Sequence, residues 1–300
     1  MLNKLAHFKN QSNSLFETGK AAAAAAFLSA SGQEYSLEAT NQGTLGLTFL
    51  CDGKDGGSYF VKTHLPGSTL HRTTLLHEFR LLSLAHGADL SFLRCITGEV
   101  DGCEQLYVLM DALQPVSDVT PGQCRALISA WPPDLAASLT IPSYGLEALL
   151  DAALVELQVQ RDAGLLSAQL LQFSLQRLQL LTDRLPYLPR CVCHGDLSDR
   201  NIMRTHSGAM VAIDWEDAFW GIPDYDYLYW LTFFNHRKYY SPEIFQTELL
   251  DPPLRQAVLI LILTIKNAIS YYNGTFQTNS LSMEGRILEI LHYTGGLSLG

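Results

Sequence analysis

Two runs decide the fold: Cys193-His194-Gly195-Asp196-Leu197-Ser198-Asp199-Arg200-Asn201-Ile202-Met203, and then Ile213-Asp214-Trp215-Glu216. Phosphoryl transfer asks little covalent chemistry of a protein beyond a carboxylate that orients the accepting hydroxyl and oxygen ligands for magnesium. Asp196, Asn201 and Asp214 supply those groups. The five-residue step from Asp196 to Asn201 lets one turn present both side chains, and a strand ending at Asp214 delivers a second carboxylate. Magnesium prefers such hard oxygen donors.

Upstream, Tyr35 to Thr40, Thr44 to Cys51 and Ser58 to Leu65 are β-rich runs joined by turn residues, and they predict an antiparallel meander. Ser68 to His86 has helical periodicity with Gly87 as its stop, and Glu78 sits at the edge of the apolar face of Leu75 and Leu82. Leu93 to Gly98 and Gln105 to Leu113 flank the Asp101-Gly102 turn and complete a sheet of about five strands. From Pro121 to Leu185 the pattern is helical, with two long helices parted near Gly164, and the chain beyond Tyr225 reads as helices.

Composition excludes several classes. With 300 residues the chain is long enough for two lobes, and 47% apolar content with 34 Gly plus Pro (22 and 12) is ordinary globular usage. A net charge of −10 argues against nucleic acid or an anionic membrane as partner. The six cysteines show no CxxC pair or zinc spacing, which fits reduced thiols in a cytoplasm. Ala257 to Ile265, the longest strongly apolar run, is too short to span a bilayer and reads as a buried helix. Ala21 to Leu28 superficially resembles a signal segment, but alanine is barely hydrophobic and is the best helix former, so a helix is expected.

The paired motif resembles the aminoglycoside phosphotransferase and choline kinase family, small-molecule relatives of the protein kinases. Their signature is His-x-Asp-x-x-x-x-Asn and then a strand ending in Asp-x-Glu or Asp-x-Asp, matched here by His194, Asp196, Asn201, Asp214 and Glu216. The resemblance implies an α+β, protein-kinase-like bilobal fold. Residues 1–113 would form a small antiparallel-sheet N-lobe with one helix, and 114–300 a larger, mainly helical C-lobe. It implies ATP, with GTP as the alternative donor, and magnesium as cofactors. Asp196 would be the catalytic base, Asn201 and Asp214 the magnesium ligands, and His194 a brace. Phe60-Val61-Lys62 looks like the lysine strand, so Lys62 would contact the phosphates and Glu78 would hold it. Leu109 to Ala112 would be the hinge, with backbone groups of Met110 and Ala112 holding adenine. Gly43 is the single glycine of the first hairpin, where protein kinases carry several. Gly221-Ile222-Pro223 also departs from the family, whose members commonly have Asp between Gly and Pro, while Asp226 matches a structural carboxylate.

Protein kinases place glycine two residues after the metal aspartate and then a long peptide-binding segment. Here Glu216 takes that place and eleven residues separate Asp214 from Asp226, so a small-molecule acceptor is expected. From His194 to Trp230 there are seven acidic and two basic residues, a net −5 interleaved with aromatics. That combination suits a small cationic metabolite or aminoglycoside-like compound, with Asp199, Glu216, Asp217 and Trp220 as candidate contacts. The competing reading is a nucleotide-binding pseudokinase with a regulatory or partner-binding role. Retention of Lys62, Glu78, Asp196, Asn201 and Asp214 favours an enzyme.

Overall fold

The computed structural model describes residues 1–2, 4–6, 15–32, 34–39, 46–133, 135 and 145–295. Five antiparallel strands, β1 (Tyr35–Ala39), β2 (Leu47–Gly53), β3 (Ser58–Thr63), β4 (Leu93–Val100) and β5 (Cys103–Asp111), form one sheet in the order β1-β2-β3-β5-β4. Asp101 and Gly102 both have positive φ, 52° and 77°, the conformation of the tight hairpin turn that matches strand twist.

Side-chain alternation gives this sheet two apolar faces. On one, Phe49, Val61, Tyr107 and Leu109 pack against Ala23 and Phe27 of helix α1 (Leu15–Ala30), and the Tyr107 hydroxyl donates to the Ala23 carbonyl at 2.8 Å. On the other, Leu106 and Val108 pack against Leu75 of helix α2 (Thr69–His86). The N-lobe therefore carries a helix on each face, one more than the motif pattern implied, and it is the alanine-rich segment that supplies it. Ser68 caps α2 by accepting from the His71 amide. Gly87 ends that helix with φ −59° through a bond to the Ser83 carbonyl, so the stop does not use the left-handed freedom of glycine.

Gln114–Pro115 pairs with Met203 and Arg204 in a three-stranded sheet that also holds Met210–Ala212. Helices α3 (Pro121–Ser129), α4 (Leu146–Asp162), α5 (Ala168–Arg184), α6 (Tyr225–Leu231), α7 (Pro252–Tyr272) and α8 (Met283–Tyr293) build the C-lobe. The apolar run at Ala257 belongs to α7, which extends well beyond it at both ends. At 21 residues α7 is long and apolar enough to cross a membrane, but 78% of an 18-residue apolar stretch of it is buried inside the protein, the signature of a core helix.

Candidate active site

The strand Cys191–Cys193 pairs with Phe219–Gly221 and releases the chain into His194-Gly195-Asp196. Asp226, at the start of α6, accepts the backbone amides of His194 (2.7 Å) and Gly195 (2.9 Å), which fixes the loop's entry. The Asp196 amide donates to His194 Nδ1 at 3.3 Å, so Nε2 carries the ring proton and donates to the Ile213 carbonyl at 2.8 Å. Burial holds His194 below the ordinary histidine range, keeping it neutral in this role. The imidazole thus ties the loop of Asp196 to the strand that leads to Asp214.

Gly195 has φ +82°, and a Cβ there would run into the Asp217 carbonyl. The left-handed conformation alone costs other residues about 1–2 kcal/mol. Gly195→Ala is expected to lower stability by more than that in urea denaturation and to displace Asp196, lowering turnover further than the stability loss explains. Equal turnover per folded molecule would contradict the second part.

Burial pushes the Asp226 carboxyl up to about 7, against the two amides that favour its charged form. The native state therefore binds more protons than the unfolded chain between about pH 4 and that value, so stability falls as pH rises through this window. Asp226→Asn should flatten that part of the curve in denaturant titrations run across it.

Asp196 is tightly engaged. Its Oδ1 accepts the Tyr229 hydroxyl at 2.5 Å, and its Oδ2 accepts Asn201 Nδ2 at 3.2 Å and the Lys4 ammonium. Burial alone would raise this carboxyl, but Lys4 and Tyr229 hold it below the ordinary carboxylate range. Lys4 also lies 4.0 Å from Asp217, which the Met1 amino group meets through its other oxygen.

The second half of the site gathers around Lys62. Val61 points to the α1 face of the sheet, so Lys62 points to the α2 face, where Glu78 is buried 2.8 Å from its ammonium. Asp214 (2.6 Å) and Glu216 (3.0 Å) reach the same nitrogen from the C-lobe. Asp214 has φ +67°, a strained conformation for a non-glycine residue and one that clusters at functional sites. Burial opposes charge at Lys62, yet Asp214, Glu216 and Glu78 raise its pKa well above the usual value.

The donors present fit a hard cation. Asn201 Nδ2 is spent on the Asp196 carbonyl (2.8 Å) and carboxylate, which leaves the amide oxygen as the atom it can offer. Asp214 adds a carboxylate, and the Glu78, Asp214 and Glu216 oxygens lie within 4.8 Å of one another. Oxygen donors without thiolate or imidazole suit magnesium.

Other candidate residues are placed differently. Gly43 lies outside the described residues. Met110 is buried within β5, and the Ala112 amide donates to the Ser58 carbonyl at 3.0 Å, so the donor expected to meet adenine is spent on continuing the sheet. Asp199 is bracketed by His236 Nε2 (2.9 Å), Trp230 Nε1 (2.8 Å) and Asn235 Nδ2 (2.8 Å). Trp220 pairs with Val192 in the two-stranded sheet and bridges to Gly145. Glu216 and Asp217 do join the cluster, through Lys62 and Lys4 respectively.

Three participants carry no local sequence signal. Lys4 precedes the first strand by thirty residues, and Tyr229 is one of many aromatics in its segment. Lys266 marks the end of an apolar run in the sequence, yet its ammonium lies 3.2 Å from the Phe233 ring centroid and 4.2 Å from that of Tyr229. Burial pushes it well below the usual lysine range.

A family model described as the phosphotransferase enzyme family matches residues 36–251. Solved structures with a similar fold include aminoglycoside phosphotransferase APH(4)-Ia, at TM-score 0.57 and 17% identity over 92% of this chain and 100% of that one. Choline kinase LicA from Streptococcus pneumoniae aligns at TM-score 0.50 and 16% identity, over 88% of this chain and 95% of that one. A choline/ethanolamine kinase family protein from Mesorhizobium loti aligns at 0.50 and 15%, over 87% and 88%. No curated protein matches the sequence.

Proposed function

The chain belongs to the phosphotransferase enzyme family, and from that premise we propose that it is a small-molecule kinase moving the γ-phosphoryl group of ATP, or of GTP, to a hydroxyl of a small cationic acceptor. The observation that carries this reading is the meeting of Asp196 with Asn201, whose backbone carbonyl accepts the amide of Ile213 next to Asp214, beside the ion pairs of Lys62 with Glu78 and Asp214. Asp196 would accept the hydrogen bond of the attacking hydroxyl and take its proton as the new P–O bond forms, the γ-phosphorus bond to the β-phosphate oxygen breaks and the nucleoside diphosphate leaves. Tyr229 and Asn201 hold that carboxylate in place. Lys62 would contact the nucleotide phosphates, positioned by Glu78. Magnesium, held by Asp214 and the Asn201 amide oxygen, would offset the phosphate charge when bound.

The acceptor class follows from charge. Five carboxylates, Glu78, Asp196, Asp214, Glu216 and Asp217, meet three cationic groups, the ammoniums of Lys62 and Lys4 and the Met1 amino group, a formal surplus of two negative charges. A surplus of negative charge beside aromatic rings attracts ammonium groups.

The test is a panel of amino alcohols, aminoglycosides and neutral isosteres scored for ATP consumption in magnesium. At least one cationic compound should be phosphorylated. Its kcat/KM should fall as ionic strength rises, because the Debye length shrinks from about 10 Å at 0.1 M to 3 Å at 1 M. A neutral isostere that reacts as well, with the same flat salt dependence, would reject the cationic class, and an inert panel would reject the activity on these compounds.

A further inference from the structure

The first residues of the chain sit inside the site. Leu2 and Lys4–Ala6 form a helical turn closed by the Leu5 amide on the Met1 carbonyl at 2.9 Å. Met1 and Leu5 are 2% and 4% exposed and belong to the same buried cluster as Tyr225 and Tyr229. The Tyr225 hydroxyl donates to Met1 Sδ at 3.1 Å. Between these apolar anchors Lys4 extends to Asp196, with Asp217 4.0 Å from its ammonium.

That arrangement obstructs an acceptor. A hydroxyl about to be phosphorylated must donate to one Asp196 oxygen, but Oδ2 is filled by Lys4 and Asn201, and Oδ1 already accepts Tyr229, which leaves one acceptor site on the carboxylate. An adjacent ammonium also makes the carboxylate a poorer proton acceptor, the opposite of what a general base needs. The Lys4 contact is therefore suited to a resting state and not to turnover.

We propose that Met1, Leu2 and Lys4–Ala6 form an intramolecular plug, in which Lys4 occupies the acceptor's cation position on Asp196 and Asp217 and must be displaced by substrate. The inference rests on the reading of this cleft as the acceptor pocket of a kinase. Eight residues, 7–14, link Ala6 to α1, and a short tether gives an effective concentration of order mM. An acceptor present well below that concentration competes poorly. The apparent KM is then raised by the reciprocal of the unplugged fraction, while kcat, measured at saturation, is untouched.

Two readouts test it in the full chain. The first is a brief pulse of sulfo-NHS-acetate with peptide mass spectrometry, needing no acceptor. Lys4 should be acetylated more slowly than exposed Lys54, and Asp196→Ala should remove most of that protection. Equal rates for Lys4 and Lys54 in the wild type would overturn the plug. So would release of Lys4 by magnesium–ATP alone, since the segment would then compete with nucleotide and not acceptor. The second is kinetic, with whichever panel compound reacts. Lys4→Gln should lower its KM about 10-fold at unchanged kcat, as expected for a pocket that is about nine-tenths plugged. Lys4→Arg, which keeps the cation, should stay near wild type, and a Lys54→Gln control should do the same. A KM that is unchanged or raised in Lys4→Gln would overturn the proposal, because Lys4 would then be inert or part of the acceptor site. If neither wild type nor Lys4→Gln phosphorylates any panel compound, the kinase reading fails on that panel, while the acetylation result still decides whether the segment docks.

Discussion

Asp196→Asn is expected to lower kcat by roughly 10² to 10⁴-fold, the usual contribution of a positioned general base. At about 1.4 kcal/mol per decade this is about 3–5 kcal/mol of barrier. The amide keeps the shape of the carboxylate and can still accept from Tyr229, so the loop held by Asp226 and His194 should survive. It cannot take a proton from the attacking hydroxyl. It also loses the charge that holds Lys4, so the N-terminal turn should loosen and acceptor access improve. A fall in kcat beside an unchanged or lowered KM would therefore separate chemistry from access. Magnesium–ATP affinity, read by calorimetry, should barely change. A variant that keeps most of its turnover, with chemistry shown to be rate-limiting, would remove Asp196 from the role of base.

Lys62→Ala is expected to be the most destabilising single change in the site. Its ammonium is shared by Glu78, Asp214 and Glu216, at 2.8, 2.6 and 3.0 Å. Taking away the shared partner of buried charges costs about 3–5 kcal/mol, because the partners left behind are desolvated and unpaired. The loss should depend on pH. Burial already pushes Glu78 up to about 8 and raises Glu216, and both would rise further without Lys62. The native state of the variant would then bind more protons than the unfolded chain, whose glutamates titrate near 4.3. Its stability should therefore fall as pH rises from about 4.5, and the deficit against wild type should be larger at pH 8 than at pH 5. Millimolar magnesium should restore part of it by binding the native carboxylates. Denaturant titrations at both pH values measure this, and a deficit independent of pH would show that the three carboxylates do not share the lysine.

What was legible in the sequence was whatever is local. Asp196 and Asn201 lie five residues apart on one turn, and their meeting at 3.2 Å needs only that turn. The Lys62–Glu78 contact was legible for a similar reason: strand alternation sends Lys62 to one face, and helical periodicity places Glu78 beside the apolar residues that cover it. The sheet followed from its turn residues. By contrast, Asp199 looked like a free carboxylate in an acidic stretch, and only the fold brings His236 and Trp230 around to claim it. Ala112 looked like a hinge contact by the family resemblance alone, yet its amide is taken by the Ser58 carbonyl. Lys266 looked like the polar edge of a helix until the helix was surrounded. Lys4 had no pattern at all, since nothing in a run of six residues announces a partner in another lobe.

The bond from Lys4 to Asp196 spans 192 positions of chain. Closing a loop of that length costs entropy that the few contacts of a six-residue turn can recover only after Asp196, Tyr225 and Tyr229 are already in place. Docking of the turn should thus be a late event in folding and an early one in unfolding. In native-state hydrogen exchange, the Leu5 amide should open with a free energy well below that of the α7 amides, as a separate cooperative unit. The protein would then have two melting events on one chain, and the lower of them would uncover the Asp196 carboxylate while the rest of the molecule stays folded.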